Sequence, residues 1–292
     1  MRLAAPRRVR ARLVTLTSDF GWAYAAQMRA VLLRSVAPAR IIEISHDLPA
    51  HGVVEAAFVL RSIGEQYPAG TVHVAVVDPG VGGRRAPLII QCADGSLLVG
   101  PDNGVLAPLA RVLGRPHAFR IDPTRLGSPR RTGTTFDGRD LFAPAAARLA
   151  RGVRPNRLGS PHPYWDLELP APTRLPSGAH GEVVHRDSFG NLITNVPTSW
   201  VEPTRRTIGV AVGRGRKRLV PWVHSYEEIR RGRLGALGSS FGTVELAVAE
   251  GRADRRCRAR AGTSVRLTWP SRSDARATER VNSGQNLRSS RR

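Results

Sequence analysis

The sequence of 292 residues has few cysteines, few aromatic residues and no long apolar run. Its two cysteines, Cys92 and Cys257, are too few for a disulfide framework or a cysteine-rich metal centre, and they favour a reducing, cytoplasmic setting. No apolar stretch approaches the roughly 20 residues that cross a bilayer. The basic N-terminus lacks an apolar segment of signal-peptide length, so we expect neither export nor membrane insertion.

The charge of the chain is strongly one-sided, with a formal net value of +22. Such an excess suggests a nucleic-acid partner. However, all but one of the 45 basic residues are arginines spread along the chain, Lys217 being the exception, and aromatic residues make up only 5%. No segment interleaves basic and aromatic residues as a base-stacking surface does. We therefore expect no dedicated nucleic-acid binding, only a polyanion affinity that falls steeply with salt.

The order of strand-like and helix-like segments predicts two domains. Their alternation over residues 11–165 predicts an α/β domain with a mostly parallel sheet flanked by helices. Residues 166–178 are rich in proline and predict a linker. Short alternating strands separated by glycines over 179–270 predict a smaller all-β barrel or sandwich. The arginine-rich segment 271–292 has almost no apolar residues, which predicts a disordered tail.

The most informative segment is VHVAVVDPGVGGRR, residues 72–85. It predicts a buried strand that delivers Asp78 to a Pro-Gly turn, with Arg84 and Arg85 close behind. Open α/β sheets place their ligands beside such strand ends, and glycines allow a close approach of backbone to ligand. A neighbouring arginine would favour the ionised form of Asp78. Taken alone, the segment favours a surface turn with an exposed ion pair over a functional site.

Similar polar clusters recur at the predicted strand ends. They are Thr17–Gly21 (TSDFG), Ser45–Asp47 (SHD), Asp78–Gly82 (DPGVG), Pro101–Gly104 (PDNG), Thr135–Asp140 (TFDGRD) and Asp187–Asn195 (DSFGNLITN). Taken together and in this order, from about Leu13 to Leu267, they resemble the S-adenosylmethionine hydroxide adenosyltransferases. That family hydrolyses S-adenosylmethionine to adenosine and methionine and is related to fluorinating and chlorinating enzymes.

The resemblance implies an Asp-Arg-His set that aligns and activates water for in-line attack on the 5′ carbon. Asp78 and Arg85 match the first two members, and Arg84 is expected to face solvent. The third position is a departure, because this chain has Asp137 where the family has histidine. Either Asp137 assists the water in place of imidazole, sharing a proton with Asp78, or turnover is impaired and nucleoside binding remains.

The resemblance also implies a substrate-binding set. Asp19 would hold the ribose hydroxyls, although a carboxylate capping a turn is a close alternative. Asp187 would meet the methionine ammonium, Asn191 would hydrogen-bond adenine, and Ser240 would lie near the methionine carboxylate. Glu250 completes this predicted set.

Two further departures concern the methionine end of the substrate. Phe241 stands where the halogenating relatives have an arginine. The loop Gly21–Ala26 is shorter than in the family and lacks a second aspartate. Trp22 and Tyr24 in this loop either stack on adenine or pack at the start of a helix.

The remaining expectations concern cofactors, partners and alternatives. His46, His51 and His73 lack metal-site spacing, and the family reaction uses a small-molecule substrate with no metal or redox cofactor. The resemblance implies a homotrimer whose sites lie between the α/β domain of one subunit and the β domain of its neighbour. A binding module without turnover is the main alternative; a halogenase is less favoured, because a halide beside the Asp78 carboxylate is costly.

Overall fold

The computed structural model describes residues 13–35, 40–127, 135–202 and 205–269, so the predicted tail 271–292 lies outside the described residues. The chain divides into two compact units between Leu169 and Pro170. Among the helices in the described ranges, none has the length and apolar character needed to cross a membrane.

The first unit is an α/β domain with one mixed sheet. Its strands are β1 (Leu13–Ser18), β2 (Arg40–Ser45), β3 (Val72–Val76), β4 (Pro87–Gln91), β5 (Leu97–Pro101), β6 (His117–Ile121) and β7 (Gly159–Pro161). Its helices are α1 (Gly21–Ser35), α2 (Val53–Gly64), α3 (Ala107–Leu113) and α4 (Ala143–Ala150). The sheet order is β2-β1-β3-β5-β4-β6-β7. This architecture confirms the predicted α/β class.

The sheet is parallel on one side and antiparallel on the other. Strands β2, β1, β3 and β5 run parallel to one another. The Asp94–Gly95 turn then makes β4 the antiparallel partner of β5, and β6 and β7 continue in antiparallel pairs. The parallel half carries the predicted site, because the carboxyl ends of its strands open at a common edge.

The core of this unit lies between the sheet and helices α1 and α4. Buried valines and leucines of β1 and β3 contact Met28 and Leu32 of α1 and the alanines of α4. Because alanine side chains are small, α4 packs closely on the sheet and on α1. The packing holds β1 and β3 side by side, with Ser18 in register with Val76.

The second unit is an antiparallel, nearly closed barrel. Its strands are β8 (Thr173–Leu175), β9 (Gly178–Arg186), β10 (Leu192–Pro197), β11 (Thr207–Val212), β12 (Arg218–Pro221), β13 (Leu234–Gly238), β14 (Thr243–Val248) and β15 (Ser264–Thr268), with the short helix α5 (Ala253–Cys257) after β14. The order is β12-β11-β15-β9-β10-β14-β13, and a bridge between Trp222 and Ala236 joins the ends of the path. The predicted all-β class is confirmed.

Part of the segment predicted as a linker is structured. Strand β8 lies within residues 166–178 and pairs with β9, where Leu175 is opposite Gly178. A tight turn joins the two strands into a hairpin. The proline-rich composition of this segment predicted only a connecting linker.

Candidate active site

Two predicted site carboxylates lie at the ends of neighbouring parallel strands. Asp19 directly follows β1, and Asp78 follows β3 after one further buried residue. Both line a cavity of about 410 Å³ in the first unit, and Asp137 lines it too. Strand polarity therefore brings Asp19 and Asp78 together, and Asp137 reaches the same cavity from the start of a helical turn.

Arg85 joins two of these carboxylates. Its Nε and Nη2 atoms donate to Oδ2 of Asp78 at 2.8 and 2.5 Å, and Nη2 also donates to Oδ2 of Asp137 at 2.5 Å. The side chains of Asp78, Arg85 and Asp137 are 5%, 12% and 4% exposed, so this is a buried cluster. The guanidinium carbon lies 5.5 Å from the centre of the Phe142 ring. Arg84, in contrast, is exposed.

Asp78 and Asp137 stabilise the charged form of the Arg85 guanidinium. Burial by itself lowers the pKa of the guanidinium. The hydrogen bonds and charges of Asp78 and Asp137 outweigh that effect, and the pKa of Arg85 is raised above its ordinary value. The guanidinium is therefore a permanent cation held between two carboxylates.

The turn after Asp78 folds Arg85 back onto it. The amide of Gly80 donates to Oδ1 of Asp78 at 3.2 Å, and the amide of Gly83 donates to the carbonyl of Gly80 at 3.0 Å. Gly82 adopts a φ of 75°, which favours glycine. A Cβ on Gly80 would lie 3.3 Å from Cγ of Arg85, so the absence of a side chain leaves room for the arginine stem.

Asp137 is positioned by a π-helical turn, Gly138–Phe142, which leads directly into α4. Such turns are rare and frequently occur at functional sites. Close packing fixes the start of the turn, because a Cβ on Gly138 would lie 2.9 Å from Sδ of Met28 and 2.9 Å from the Phe136 ring. The turn directs Asp137 onto Arg85.

Aromatic side chains form one wall of the cavity. Phe20, Tyr24 and Phe136 pack edge to face, with ring centres 5.3 to 6.2 Å apart. All three line the cavity, so Tyr24 is placed where a purine could contact it. Trp22 packs instead on the His46 ring at 4.9 Å and donates to Asp47 at 3.1 Å.

In the second unit, Asp187 and Asn191 are bonded to each other. The backbone amide of Asn191 donates to Oδ1 of Asp187 at 2.8 Å, and its Nδ2 donates to Oδ2 at 2.9 Å. Ser240 is exposed in the turn between β13 and β14, beside Phe241, whose ring packs edge to face on His185 at 6.0 Å.

Glu250 lies after β14 in a residue with a φ of 49°. It is 63% exposed and pairs with Arg231 at 2.6 Å. The structure thus joins Asp187 with Asn191 directly, and it places Glu250 in an exposed ion pair.

Two polar residues near Asp187, Glu245 and Tyr226, were not predicted from the sequence, and only Glu245 is buried. Tyr226 donates its hydroxyl to Oε1 of Glu245 at 2.7 Å, and Glu245 is 4% exposed. Burial raises the pKa of Glu245, and the charge of Asp187 raises it further against the opposing hydrogen bond from Tyr226. The available signal was the position of Glu245 in TVELAV, on the opposite face from Val244 and Leu246.

Histidine, cysteine and acidic side chains are also the residues that could hold a metal ion. Within the residues that the structure describes, no group of three or more His, Cys, Asp or Glu side chains is arranged to hold a metal ion. His46 and His73 are both buried, and each bonds a hydroxyl group, of Ser18 and Thr15 respectively.

Known proteins resemble the chain in both sequence and structure. The model of the SAM hydroxide adenosyltransferase N-terminal domain matches residues 14–159, and that of the C-terminal domain matches residues 181–266. The (R)-S-adenosyl-L-methionine hydrolase of Salinispora tropica is 35% identical over 260 residues, 87% of this chain and 97% of that protein. The hydrolase of the same name from Thermus thermophilus is 37% identical over 269 residues, 88% and 99% of the two chains.

A solved structure is similar to the chain over most of its length. The crystal structure of an uncharacterized conserved protein from Thermotoga maritima matches with a TM-score of 0.80 and 30% identity, covering 88% of this chain and all of that one. A fluorinase of Actinoplanes sp. is only 24% identical over 213 residues. Both domain models match in order and cover most of the chain, and the chain belongs to the SAM hydroxide adenosyltransferase family.

Proposed function

We propose that this protein hydrolyses S-adenosyl-L-methionine to adenosine and L-methionine by in-line attack of water on the 5′ carbon. The observation that carries the proposal is the buried Asp78–Arg85–Asp137 cluster beside a cavity that Asp19 also lines. The family membership and the names of the hydrolase relatives support the same reaction.

The chemistry needs an aligned water and a proton acceptor more than it needs an electrophilic catalyst. The C5′–O bond forms as the C5′–S bond breaks, and its electron pair goes to the sulfonium sulfur, which leaves as the neutral thioether of methionine. The attacking water loses its proton to Asp78, from which it passes to solvent. Arg85 fixes the carboxylate, and Asp137 fixes Arg85 from the other side. This route calls for no metal or redox cofactor.

The charge of the site favours a cationic substrate over an anionic nucleophile. Asp19, Asp78 and Asp137 supply three carboxylates against the one guanidinium of Arg85. A sulfonium is attracted to this excess of negative charge, whereas a halide near the same groups is repelled. Water is therefore the favoured nucleophile.

The substrate contacts remain part of the proposal. In the first unit, Asp19 would accept hydrogen bonds from the ribose diol, for which a two-oxygen acceptor is suited. In the second unit, Asp187 would bind the ammonium of the methionine end. Asn191 would meet adenine, Ser240 would lie near the methionine carboxylate, and Glu250 completes the substrate-binding set.

We also propose a homotrimer in the cytoplasm. The trimer is expected from the family resemblance, with each site built from the α/β domain of one subunit and the β domain of its neighbour. The cytoplasmic location is expected because Cys92 and Cys257 are both free thiols. Light scattering on the purified chain tests the assembly, and a monomeric mass at working concentration would contradict it.

The direct test is incubation of the purified protein with each sulfur epimer of S-adenosyl-L-methionine, followed by chromatography of adenosine and methionine. Because the similar hydrolases are named for the (R) form, we expect that epimer to be consumed faster. Asp78→Asn should abolish product formation. No product from the parent chain, with activity appearing in Asp137→His, would identify a binding protein that has lost turnover.

A further inference from the structure

A buried chain of hydrogen bonds runs behind the ribose side of the cavity. Oγ of Ser18 lies 2.7 Å from Nδ1 of His46, and Nε2 of His46 lies 2.7 Å from Oε2 of Glu43. Ser18 and His46 are each 1% exposed. Nη1 of Arg29 lies 3.3 Å from Oε1, the other oxygen of Glu43. This series of hydrogen bonds therefore ends in an ion pair at the surface.

This chain of bonds tolerates both forms of the imidazole. In the neutral form with the proton on Nε2, that atom donates to Glu43 and Nδ1 accepts from the Ser18 hydroxyl. In the protonated form Nδ1 donates instead, and the serine oxygen accepts. The contacts of His46 can therefore form with either imidazole, so they can hold the neighbouring segments together in both cases.

His46 joins the segment that carries Asp19 to the segment whose backbone hydrogen-bonds the Asp19 carboxylate. Ser18 precedes Asp19 directly, and the carbonyl of His46 accepts from the amide of Gly21 at 2.9 Å. His46 also begins the segment that ends at His51, whose backbone amide donates to Oδ2 of Asp19 at 2.8 Å. His51 holds a φ of 64°, an unfavourable conformation that its surroundings must impose.

His73 provides an internal comparison. It is also 1% exposed, and its Nδ1 atom lies 2.9 Å from Oγ1 of Thr15 on the same strand, β1. Its ring packs edge to face on Tyr67, and it does not line the cavity. The two histidines thus share burial and a hydroxyl partner, but only His46 is bonded to both sides of the Asp19 segment in the described residues.

We infer that His46 is a positioning residue, which holds Asp19 in the orientation that receives the ribose diol. The inference rests on the proposed function for the role of Asp19, and it extends that function by one residue that touches no substrate. Loss of the His46 contacts should weaken ligands that carry the diol and leave those without it unaffected.

The test is calorimetric binding of adenosine and of 2′,3′-dideoxyadenosine to His46→Ala, His46→Asn and Ser18→Ala, with His73→Asn as the matched control. We expect His46→Ala and Ser18→Ala to weaken adenosine by about tenfold and the dideoxy compound by less than about twofold. His46→Asn, which retains an amide near Ser18, should weaken adenosine less. In turnover assays, His46→Ala should raise KM and leave kcat within about twofold.

Each variant is first checked for a cooperative unfolding transition. Equal weakening of both ligands, no weakening by His46→Ala, or the same diol-dependent loss in His73→Asn would overturn the inference. Failure of the parent chain to bind adenosine would also overturn it. Failure of the hydrolase proposal is separate, since it appears as an absence of turnover while the binding measurements still report on the diol.

Discussion

Nη2 of Arg85 lies 2.5 Å from Oδ2 of Asp137, across 52 positions of sequence. The same nitrogen lies 2.5 Å from Oδ2 of Asp78, so one guanidinium nitrogen joins two carboxylates. Asp137 occupies the position where the resemblance implies histidine, and its observed contact is with the arginine. Asp78 and Asp137 therefore form a clamp that holds the arginine from both sides.

The first prediction concerns the proton acceptor. Asp78→Asn should lower kcat by roughly 10²-fold or more, because an amide cannot accept the proton of the attacking water. Folding should persist, since Asn retains the size of the side chain and Asp137 still holds Arg85. Steady-state kinetics measure the loss. Asp140→Asn is the matched control, because Asp140 pairs with Arg139 at 2.6 Å and should leave kcat within about twofold.

The second prediction concerns the clamp. Asp137→Asn should reduce kcat by roughly tenfold to 10²-fold, because it removes a charged partner of Arg85 in a buried cluster. Asp137→His should retain turnover, since a neutral imidazole there can accept a hydrogen bond from Arg85 in place of the carboxylate. The kinetics of the two variants are compared at one pH near neutrality. Activity of Asp137→Asn equal to that of the parent would show that the clamp has no catalytic role.

The third prediction concerns the turn that positions Asp137. Gly138→Ala should destabilise the protein by about 1–3 kcal/mol, because the new methyl group would overlap the side chains of Met28 and Phe136. Urea unfolding gives the free energy, and kinetics under native conditions should show a lower kcat as Asp137 shifts from Arg85. A variant with unchanged stability and activity would contradict the packing described for this turn.

The fourth prediction concerns pH and stability. Burial lowers the pKa of His73 to about 4, against a weaker opposing effect of Asp94. Between about pH 4 and 6.5 the unfolded chain binds a proton that the native state does not, so the free energy of unfolding falls as the pH is lowered. The contribution of His73 is about 3 kcal/mol across that window.

His73→Gln isolates this contribution. Urea unfolding of the parent and the variant at pH 7.5 and pH 5 should show that the parent loses more stability than the variant on acidification. Equal losses in the two proteins would mean that His73 takes up its proton as readily in the native state as in the unfolded chain.

Several features of the fold and site were accessible from sequence. Alternating apolar runs predicted strands β1 and β3, and the polar clusters that follow them predicted that Asp19 and Asp78 lie at strand ends. The order of the six polar clusters indicated the family. Asp137 was identified as a departure, but its bond to Arg85 depends on a π-helical turn that no local propensity encodes.

Other features depended on tertiary contacts. Helix α3 and strands β6 and β7 are short, and their sequences carry little periodicity, so their structure is determined by packing against the rest of the unit. Tyr226 and Glu245 were missed because a single glutamate in a strand pattern usually faces solvent. The 3₁₀ turn at Tyr226–Glu228 brings Tyr226 to Glu245, which sequence alone does not reveal.

The central claim is that water attacks the 5′ carbon of the substrate, and isotope labelling tests it most directly. The purified protein is incubated with S-adenosyl-L-methionine in water enriched in oxygen-18, and the adenosine formed is analysed by mass spectrometry. The account predicts one oxygen-18 atom, located at the 5′ hydroxyl, and no label in methionine. Adenosine without the label, or a 5′-halogenated nucleoside when chloride is present, would contradict it.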